Sequence, residues 1–273
     1  MGTGIASLSD DSRVFCATFF LGVAGVAVGA DDQDLAKKLS NPVASLISVP
    51  FQLNYDEDVG AGDGERYLLN VQPVIPFGVS ENWNLISRTI VPIISQNDVV
   101  PGQGNQFGTG DVVQSLFFSP KAPTSSGLIW GAGPVFLLPT ASENTLGSDK
   151  WGAGPTGVVL RQSGPWTTGL LANHIWDVAG ESNRPDINST FLQPFTSYTT
   201  STAWTYTVNS ESTYDWEVSH WSAPVNFQLT KLTSLGSQPL SVGGGLRYWI
   251  ESPDDRGPDG WGARLIATLL FPD

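Results

Sequence analysis

Residues 47–56, ISVPFQLNYD, alternate large apolar side chains with polar ones, and this stretch decides the fold class. Alternation with a period of two is typical of a β-strand whose two faces meet different surroundings. In a soluble sandwich the apolar face turns into a protein core. In an outer-membrane barrel it turns outward into lipid, and the polar face lines the interior. The remaining segments distinguish these two folds.

The composition favours strands and turns over helices. The chain has 273 residues, of which 14% are charged, and it contains 30 glycines and 10 tryptophans. That length permits one large all-β domain, and the charged fraction lies well below the usual quarter. The formal net charge of −13 argues against nucleic acid as a partner, because phosphates repel such a surface.

An apolar run, VFCATFFLGVAGVAVGA at 14–30, precedes the alternating part of the chain. It ends in small residues before Asp31, so we predict a secretory signal peptide over 1–30; a first core helix is the alternative. The acidic stretch ahead of the run predicts a translation start further downstream. Cleavage removes the single cysteine, Cys16, which leaves a fold closed without disulfides.

After residue 45 the alternation recurs in about a dozen segments, each roughly the length that a tilted strand needs to cross a bilayer. We predict three parts: the signal peptide over 1–30, an N-terminal periplasmic segment over 31–45 that forms a short helix or plug, and a barrel over 46–273. The predicted strands are 46–57, 65–77, 83–95, 110–120, 127–139, 151–163, 166–178, 187–199, 202–212, 220–231, 239–251 and 261–271.

The connections between these strands alternate in length and charge. Stretches such as VSEN and SGP are short, whereas DEDVGAGDGE and ESPDDRGPDG are long and belong to the set that holds most of the 26 acidic residues. Outer-membrane barrels have short periplasmic turns and longer outer loops. The acidic loops lack the spacing of a calcium loop, so we predict no metal and no cofactor, and expect cations to bridge these loops to lipopolysaccharide.

The tryptophans stand near the ends of predicted strands. Indole rings prefer the headgroup level of a membrane, whereas a sandwich core would place them at strand centres. This distribution favours a barrel whose apolar face meets lipid. The predicted aromatic girdle consists of Tyr55, Trp83, Trp130, Trp151, Trp166, Trp176, Trp204, Trp221, Trp249 and Trp261.

The polar face of the strands then lines the lumen. Three arginines are assigned inward because a charge facing lipid at the bilayer midplane costs ~2–4 kcal/mol. About a dozen strands fall between barrels filled by side chains and barrels with a water channel, so both a polar passage for small solutes and a filled interior stay open. The predicted lumen residues are Gln52, Asn54, Asn70, Gln72, Asn84, Arg88, Gln114, Asn188, Thr190, Thr207, Asn209, Asn226, Gln228, Arg247 and Arg264.

The two histidines, His174 and His220, are the candidates for a catalytic base. A nucleophilic hydrolase needs such a base within hydrogen-bond reach of its nucleophile. The sequence contains neither a GxSxG elbow nor an HExxH helix motif. Both histidines stand next to predicted girdle tryptophans, so we predict that the protein is not an enzyme and has no catalytic residues.

Four stretches carry a resemblance to a known family: LSNPVASLISVPFQLNY, YLLNVQPVIPFGVSENWNLISRTIVPII, FGTGDVVQSLFFSPK and FLQPFTSYTTSTAWTYTVNSESTYDW. The sequence resembles the transporter-like bacterial outer-membrane proteins named for the meta-pathway of phenol degradation. GTGD and LQPF are the more specific parts. The resemblance implies a Gram-negative outer-membrane barrel associated with uptake of aromatic compounds, and it implies no functional residues.

The sequence therefore predicts an all-β protein, a single transmembrane antiparallel up-and-down β-barrel of about 12 strands with short periplasmic turns and longer acidic extracellular loops. The predicted function is passive uptake of small organic molecules, with outer-membrane lipid and lipopolysaccharide as surroundings. A non-conducting structural or adhesion-type barrel, an outer-membrane hydrolase and a secreted carbohydrate-binding β-sandwich are the alternatives. The number of copies in the assembled protein, one or a homo-oligomer, is left open.

Overall fold

The computed structural model of the protein describes residues 30–99 and 101–272, so the predicted signal peptide lies, apart from Ala30, outside the described residues. No helix in these two ranges is long and apolar enough to cross a membrane. The helix α1 is Ala30–Leu39 and a 3-10 turn is Gly60–Gly62. The strands are β1 Ile47–Val59, β2 Gly64–Val71, β3 Val74–Gly78, β4 Trp83–Asn97, β5 Gln106–Thr109, β6 Val112–Pro120, β7 Leu128–Leu138, β8 Lys150–Ser163, β9 Trp166–Gly180, β10 Asn188–Thr199, β11 Trp204–Ser210, β12 Ser212–Asp215, β13 His220–Leu235, β14 Gln238–Glu251 and β15 Gly260–Phe271.

These strands form one antiparallel sheet that closes on itself. The last strand, β15, pairs with β1 from Ile47↔Phe271 to Asp56↔Gly262, and this pairing completes the barrel. Three of the twelve barrel strands consist of two pieces each, namely β2 with β3, β5 with β6, and β11 with β12. The prediction of a single up-and-down barrel of about twelve strands is confirmed.

In two of these three strands, the chemistry of the residues at the break either explains the break or uses it for another contact. Gln72 and Pro73 separate β2 from β3, and proline cannot donate to the strand ladder. The Pro73 carbonyl still accepts a hydrogen bond from the Thr89 N–H at 3.1 Å. Glu211 separates β11 from β12, and its carboxylate bonds to Arg264 across the interior.

The two ends of the barrel differ in the length of their connections. At one end, which we call the short-turn end, Gly164 and Gly236 open two-residue hairpin turns with φ of 54° and 63°. At the other end, which we call the long-loop end, connections such as 139–149 and 252–259 are longer. Both β1 and β15 have their free ends at the short-turn end, because Ile47 pairs with Phe271.

Exposure alternates along the strands and identifies the two faces of the wall. In β15, Leu265 is 63% exposed while Arg264 is 2% exposed, and in β13 Phe227 is 51% exposed while Asn226 is fully buried. The large exposed side chains of these strands are apolar and the buried ones are polar. Along β13, β14, β15, β1 and β2, therefore, the apolar face is the outer surface of the barrel.

Aromatic side chains are exposed at both ends of this outer surface. At the short-turn end, Trp83 and Trp130 meet edge to face with ring centres 5.8 Å apart. At the long-loop end, Tyr248 and Trp261 lie 4.9 Å apart. The other exposed tryptophans are Trp151, Trp166, Trp176, Trp204, Trp216 and Trp221. Tyr55, another predicted girdle residue, contacts Tyr67 with the two ring centres 4.8 Å apart.

Candidate functional site in the barrel interior

Residues 30–46 contain the predicted periplasmic segment 31–45 and are called the N-terminal segment from here on; they lie against the inner wall at the short-turn end. The helix α1 packs on β10 and β13. Ala36 and Leu46 are buried in one apolar cluster with Leu232 of β13 and Leu270 of β15. Leu270 precedes the exposed Phe271, and Leu232 has the same parity along β13 as the buried Asn226, so both side chains point into the barrel. The helix is therefore packed on the wall from inside.

Hydrogen bonds fasten the same segment to two further strands. The Gln162 side-chain amide of β8 donates to the Lys37 carbonyl at 3.0 Å, and the Asn84 amide of β4 donates to the Ser45 hydroxyl at 2.7 Å. Within the segment, the Asn41 side chain accepts from the Val43 N–H at 3.0 Å. The segment thus spans the opening between β4 and β8 instead of following one strand.

One side of the inner wall is apolar. Val43 of the N-terminal segment packs there into a buried cluster, which we call the apolar sector. Neighbours in the sequence show that this sector faces inward: Leu160 is 2% exposed but Val159 is 42% exposed, and alternate residues of a strand point to opposite faces. The wall residues of the sector are Ile86, Phe117, Val158, Leu160 and Leu171.

Three residues that the sequence analysis assigned to the lumen lie on the outer face of the wall instead. Asn188 and Thr190 of β10 pair with Trp176 and His174, so they share the outer face with that tryptophan. The inward positions of β10 include Phe191 and Phe195, which pack on the apolar sector. The sequence prediction assumed that every polar row faces inward, and this assumption fails where the N-terminal segment supplies an apolar partner inside the barrel.

Gln114 is the third corrected residue. In β6 it pairs with Thr89, which alternates with the inward Arg88 and so lies on the outer face. Its side chain accepts a hydrogen bond from the Thr89 hydroxyl at 2.6 Å and donates to Ser87 at 3.0 Å. The polar side chains of this small group therefore bond to one another on the outer face of the wall.

Another part of the interior, which borders the apolar sector at β4, carries a set of charged groups that we call the arginine layer. It consists of four arginines and two carboxylates: Arg66, Arg88, Arg247, Arg264, Asp56 and Glu211. Arg264 makes a two-pronged contact with Glu211, with N–O distances of 3.0 and 2.7 Å, and donates from Nε to Asn54 at 2.7 Å. Such bidentate, charge-assisted bonds are strong and fix geometry.

The second carboxylate of the arginine layer, Asp56, is 1% exposed and is shared by two arginines and a tryptophan. Arg247 lies 3.4 Å from it and Arg66 lies 3.9 Å from it. The Trp249 indole N–H donates to it at 3.0 Å, and the Trp249 ring lies 4.7 Å from the Arg247 guanidinium carbon. The assignment of Trp249 to the lipid-facing girdle is therefore corrected, because this ring contacts both members of the buried Asp56–Arg247 pair inside the barrel.

Several other predicted lumen residues lie on the polar part of the interior. Gln52 pairs with Asn70 between β1 and β2, on the same face as Asn54. The Asn226 amide donates to Asn209 at 2.8 Å, and the hydroxyls of Thr207 and Ser197 lie 2.8 Å apart. These bonds pair several of the buried polar groups of the wall with one another.

A cavity of about 240 Å³ lies between the N-terminal segment and the wall. Its polar lining includes Gln72, Arg88 and Gln228, and its apolar lining includes Val74 and Phe195. A second cavity of about 240 Å³ lies beside Val43 and reaches Asn84 and the β6–β7 turn. The interior therefore keeps open space on two sides of the N-terminal segment.

Two functional carboxylates, Asp56 and Glu211, are absent from the residues predicted by sequence. Asp56 was accessible to the same reasoning, because it follows Gln52 and Asn54 at a spacing of two and so shares their face. Glu211 stands at a break between two strands, where alternation stops and no parity rule applies. Its partner Arg264 lies far along the chain, so the pair is visible only in the folded barrel.

The two histidines, which were the candidates for a catalytic base, contact different groups of the wall. The His174 ring contacts the Trp176 ring at a tilt, with ring centres 4.0 Å apart, and its Nδ1 lies 2.7 Å from the Thr190 hydroxyl on the outer surface. His220 lies 3.8 Å from Glu251 at the long-loop end. Within 30–99 and 101–272, no group of three or more His, Cys, Asp or Glu side chains could hold a metal ion.

Comparison with solved structures adds one informative relative. The crystal structure of the COG4313 outer membrane channel from Pseudomonas putida F1 superposes with a TM-score of 0.63 and 14% identity, covering 83% of this chain and 94% of that one. The chain has the fold of that barrel. The beta domain of the Bordetella autotransporter BrkA is also similar, with a TM-score of 0.45, 8% identity and coverage of 83% and 100%.

Sequence comparison adds no further relative. No family model matches the chain, and no curated protein sequence matches it significantly. The likeness to the phenol-degradation family therefore stays a resemblance carried by the stretches quoted above.

Proposed function

We propose that the protein is an outer-membrane channel for passive uptake of small organic molecules, including aromatic compounds. The observation that carries this proposal is the cavity of about 240 Å³ inside a closed twelve-stranded wall, bordered by both polar and apolar side chains. Ligand cavities combine an apolar lining with a few placed polar groups in this way. The solved barrel with the similar fold is itself described as an outer membrane channel.

The proposed location follows from the same wall. The exposed apolar band between two zones of aromatic residues fits a bilayer, and the predicted signal peptide over 1–30 would deliver the chain across the inner membrane. In this arrangement the short-turn end faces the periplasm and the acidic long loops face outward, where cations bridge them to lipopolysaccharide.

The N-terminal segment acts in this proposal as a plug in the periplasmic mouth. It is packed on the wall by Ala36 and Leu46 at one side and by Val43 at the other. Side-chain bonds from Asn84 and Gln162 hold it across the opening. Solutes would leave through the space on either side of the segment or after it moves.

Liposome swelling tests the proposal. Vesicles that contain the full chain after signal cleavage are expected to swell fastest with single-ring aromatic acids, more slowly with amino acids and least with disaccharides, because the cavity has room for about one ring and a few waters. Protein-free vesicles are the control. No permeation by any of these solutes would contradict the proposal.

One observation favours a second candidate, a non-conducting structural barrel. Asn54, Asn226 and Arg264 are each at most 2% exposed, so part of the interior is filled by side chains that bond to one another. Single-channel recording separates the two candidates. Ion conductance above that of the bare bilayer favours the channel, and an electrically silent barrel favours the structural protein.

A further inference from the structure

The arginine layer has more cationic than anionic groups, and among the residues that the structure describes one of its cations has no acidic partner. Arg247 and Arg66 share Asp56, and Arg264 holds Glu211. Within the described ranges, Arg88 makes a single side-chain hydrogen bond, from Nη2 to the Gln72 amide oxygen at 2.9 Å, and no carboxylate lies within ion-pair distance of it. Glu211 acts on it only at longer range.

The Arg88 guanidinium also faces the cavity. It lines the space of about 240 Å³ together with Gln72 and Gln228. Guanidinium carries five N–H donors in a planar fork that matches a carboxylate. Since one of these donors is used by Gln72, several are free to bind a solute that enters the cavity.

The surroundings of Arg88 are apolar on one side. Its cross-strand partner is Val74, and Ile86, two residues earlier on the same face, belongs to the apolar sector. Phe195 borders both the cavity and this sector. A solute bound to the guanidinium would therefore place its remaining atoms against hydrocarbon and an aromatic ring.

We propose that Arg88 is the anion-binding residue of the cavity and that the preferred solute is a small organic anion, a carboxylate attached to an apolar or aromatic body. This inference deepens the proposed function and rests on it, because it names the class of solute. An aromatic ring fits the space, since an apolar cavity of about 150 Å³ is enough to hold benzene. The carboxylate pairs with the free donors of Arg88, and the ring packs on Val74 and Phe195.

Equilibrium binding to the full chain in lipid nanodiscs, measured by calorimetry, tests this proposal. Benzoate is the probe, benzamide has the ring without the charge, and acetate has the charge without the ring. Benzoate is expected to bind about tenfold to a hundredfold more tightly than benzamide, which is the usual effect of a charged hydrogen bond. Acetate is expected to bind weakly, because it leaves the apolar lining unused.

Two variants test whether Arg88 causes the tighter binding of benzoate. Arg88→Gln is expected to lower benzoate affinity to that of benzamide, and Arg88→Lys, which keeps the charge but loses the fork, is expected to give an intermediate affinity. Arg161→Gln is the matched control, because Arg161 is an exposed arginine near the end of β8. Heat-modifiable electrophoretic mobility verifies that each variant is folded.

Equal affinity of the unaltered protein for benzoate and benzamide would overturn the inference, whether or not the variants fold. Unchanged benzoate affinity in folded Arg88→Gln would also overturn it. The proposed function is judged separately by swelling. If the vesicles swell with neutral solutes but benzoate binds no more tightly than benzamide, the channel proposal is supported and only the anion site is contradicted. If benzoate binds preferentially but no solute permeates the barrel, the anion site is supported and the channel proposal is contradicted.

Discussion

Deletion of residues 33–44 is expected to raise the single-channel conductance of the barrel several-fold. These residues hold most of α1 and the Val43 anchor, which pack against the inner wall at the short-turn end. With the twelve-stranded wall closed independently of them, their removal opens the mouth without removing a strand. Planar-bilayer recording of the full chain and the deletion variant in the same salt solution is the measurement.

Point variants refine this prediction. Val43→Asp places a carboxylate in the apolar sector and is expected to increase the frequency of openings, because an unpaired charge is poorly tolerated there. Asp34→Asn, on the exposed side of α1, is the control and should leave conductance unchanged. Equal conductance of the full chain and the deletion variant would show that the segment is not a plug.

Glu211→Ala is expected to cost ~3–5 kcal/mol of unfolding free energy. The substitution leaves the Arg264 guanidinium, 2% exposed, without the carboxylate that now accepts two of its hydrogen bonds. A buried charge that loses its partner keeps its full desolvation penalty. Denaturant titration of the barrel refolded into lipid vesicles measures the loss.

The control for this substitution is Asp255→Ala, which breaks the exposed Asp255–Arg256 contact in a long loop, where both side chains are more than half exposed. Exposed pairs contribute about 0–1 kcal/mol. If Glu211→Ala costs no more than Asp255→Ala, then water or another group stabilises Arg264, and the arginine layer is not the structural element described above.

The strands and their ends were predictable because a lipid-facing wall imposes a simple rule on local sequence. Each crossing needs about ten alternating residues, and indole rings collect at the two interfaces. This rule is visible in ISVPFQLNYD, whose even positions Asn54 and Asp56 are buried inside the barrel. It also explains why Trp83 and Trp130 stand at strand starts and remain exposed.

The faces of β6 and β10 could not be predicted in the same way. The rule assumes one apolar face, but the apolar sector makes both faces of this part of the wall apolar. Phe195 turns inward and Thr190 turns outward, opposite to what their chemistry suggests. The cause is the N-terminal segment, whose Val43 needs an apolar surface inside the barrel, and such a contact between distant parts of the chain leaves no local periodicity.

The predicted orientation of Trp249 was wrong for a different reason. Its position near the end of β14 is typical of a girdle residue, yet it lies two positions from Arg247 and must share its face. Parity within the strand was the better guide than position along it. The ring is used inside the barrel because Asp56 needs a further donor once it is buried.

We propose that the wall of this barrel has lipid on one side and the solute cavity on the other. Gln228 and Leu229 are neighbours on β13, the first lining the cavity and the second on the outer face, and the single native cysteine lies in the predicted signal peptide. In lipid vesicles, a small charged methanethiosulfonate that cannot cross membranes is expected to modify Gln228→Cys and to leave Leu229→Cys unmodified. Two results would contradict this arrangement: modification of Leu229→Cys as fast as Gln228→Cys, or modification of Leu229→Cys while Gln228→Cys stays unmodified.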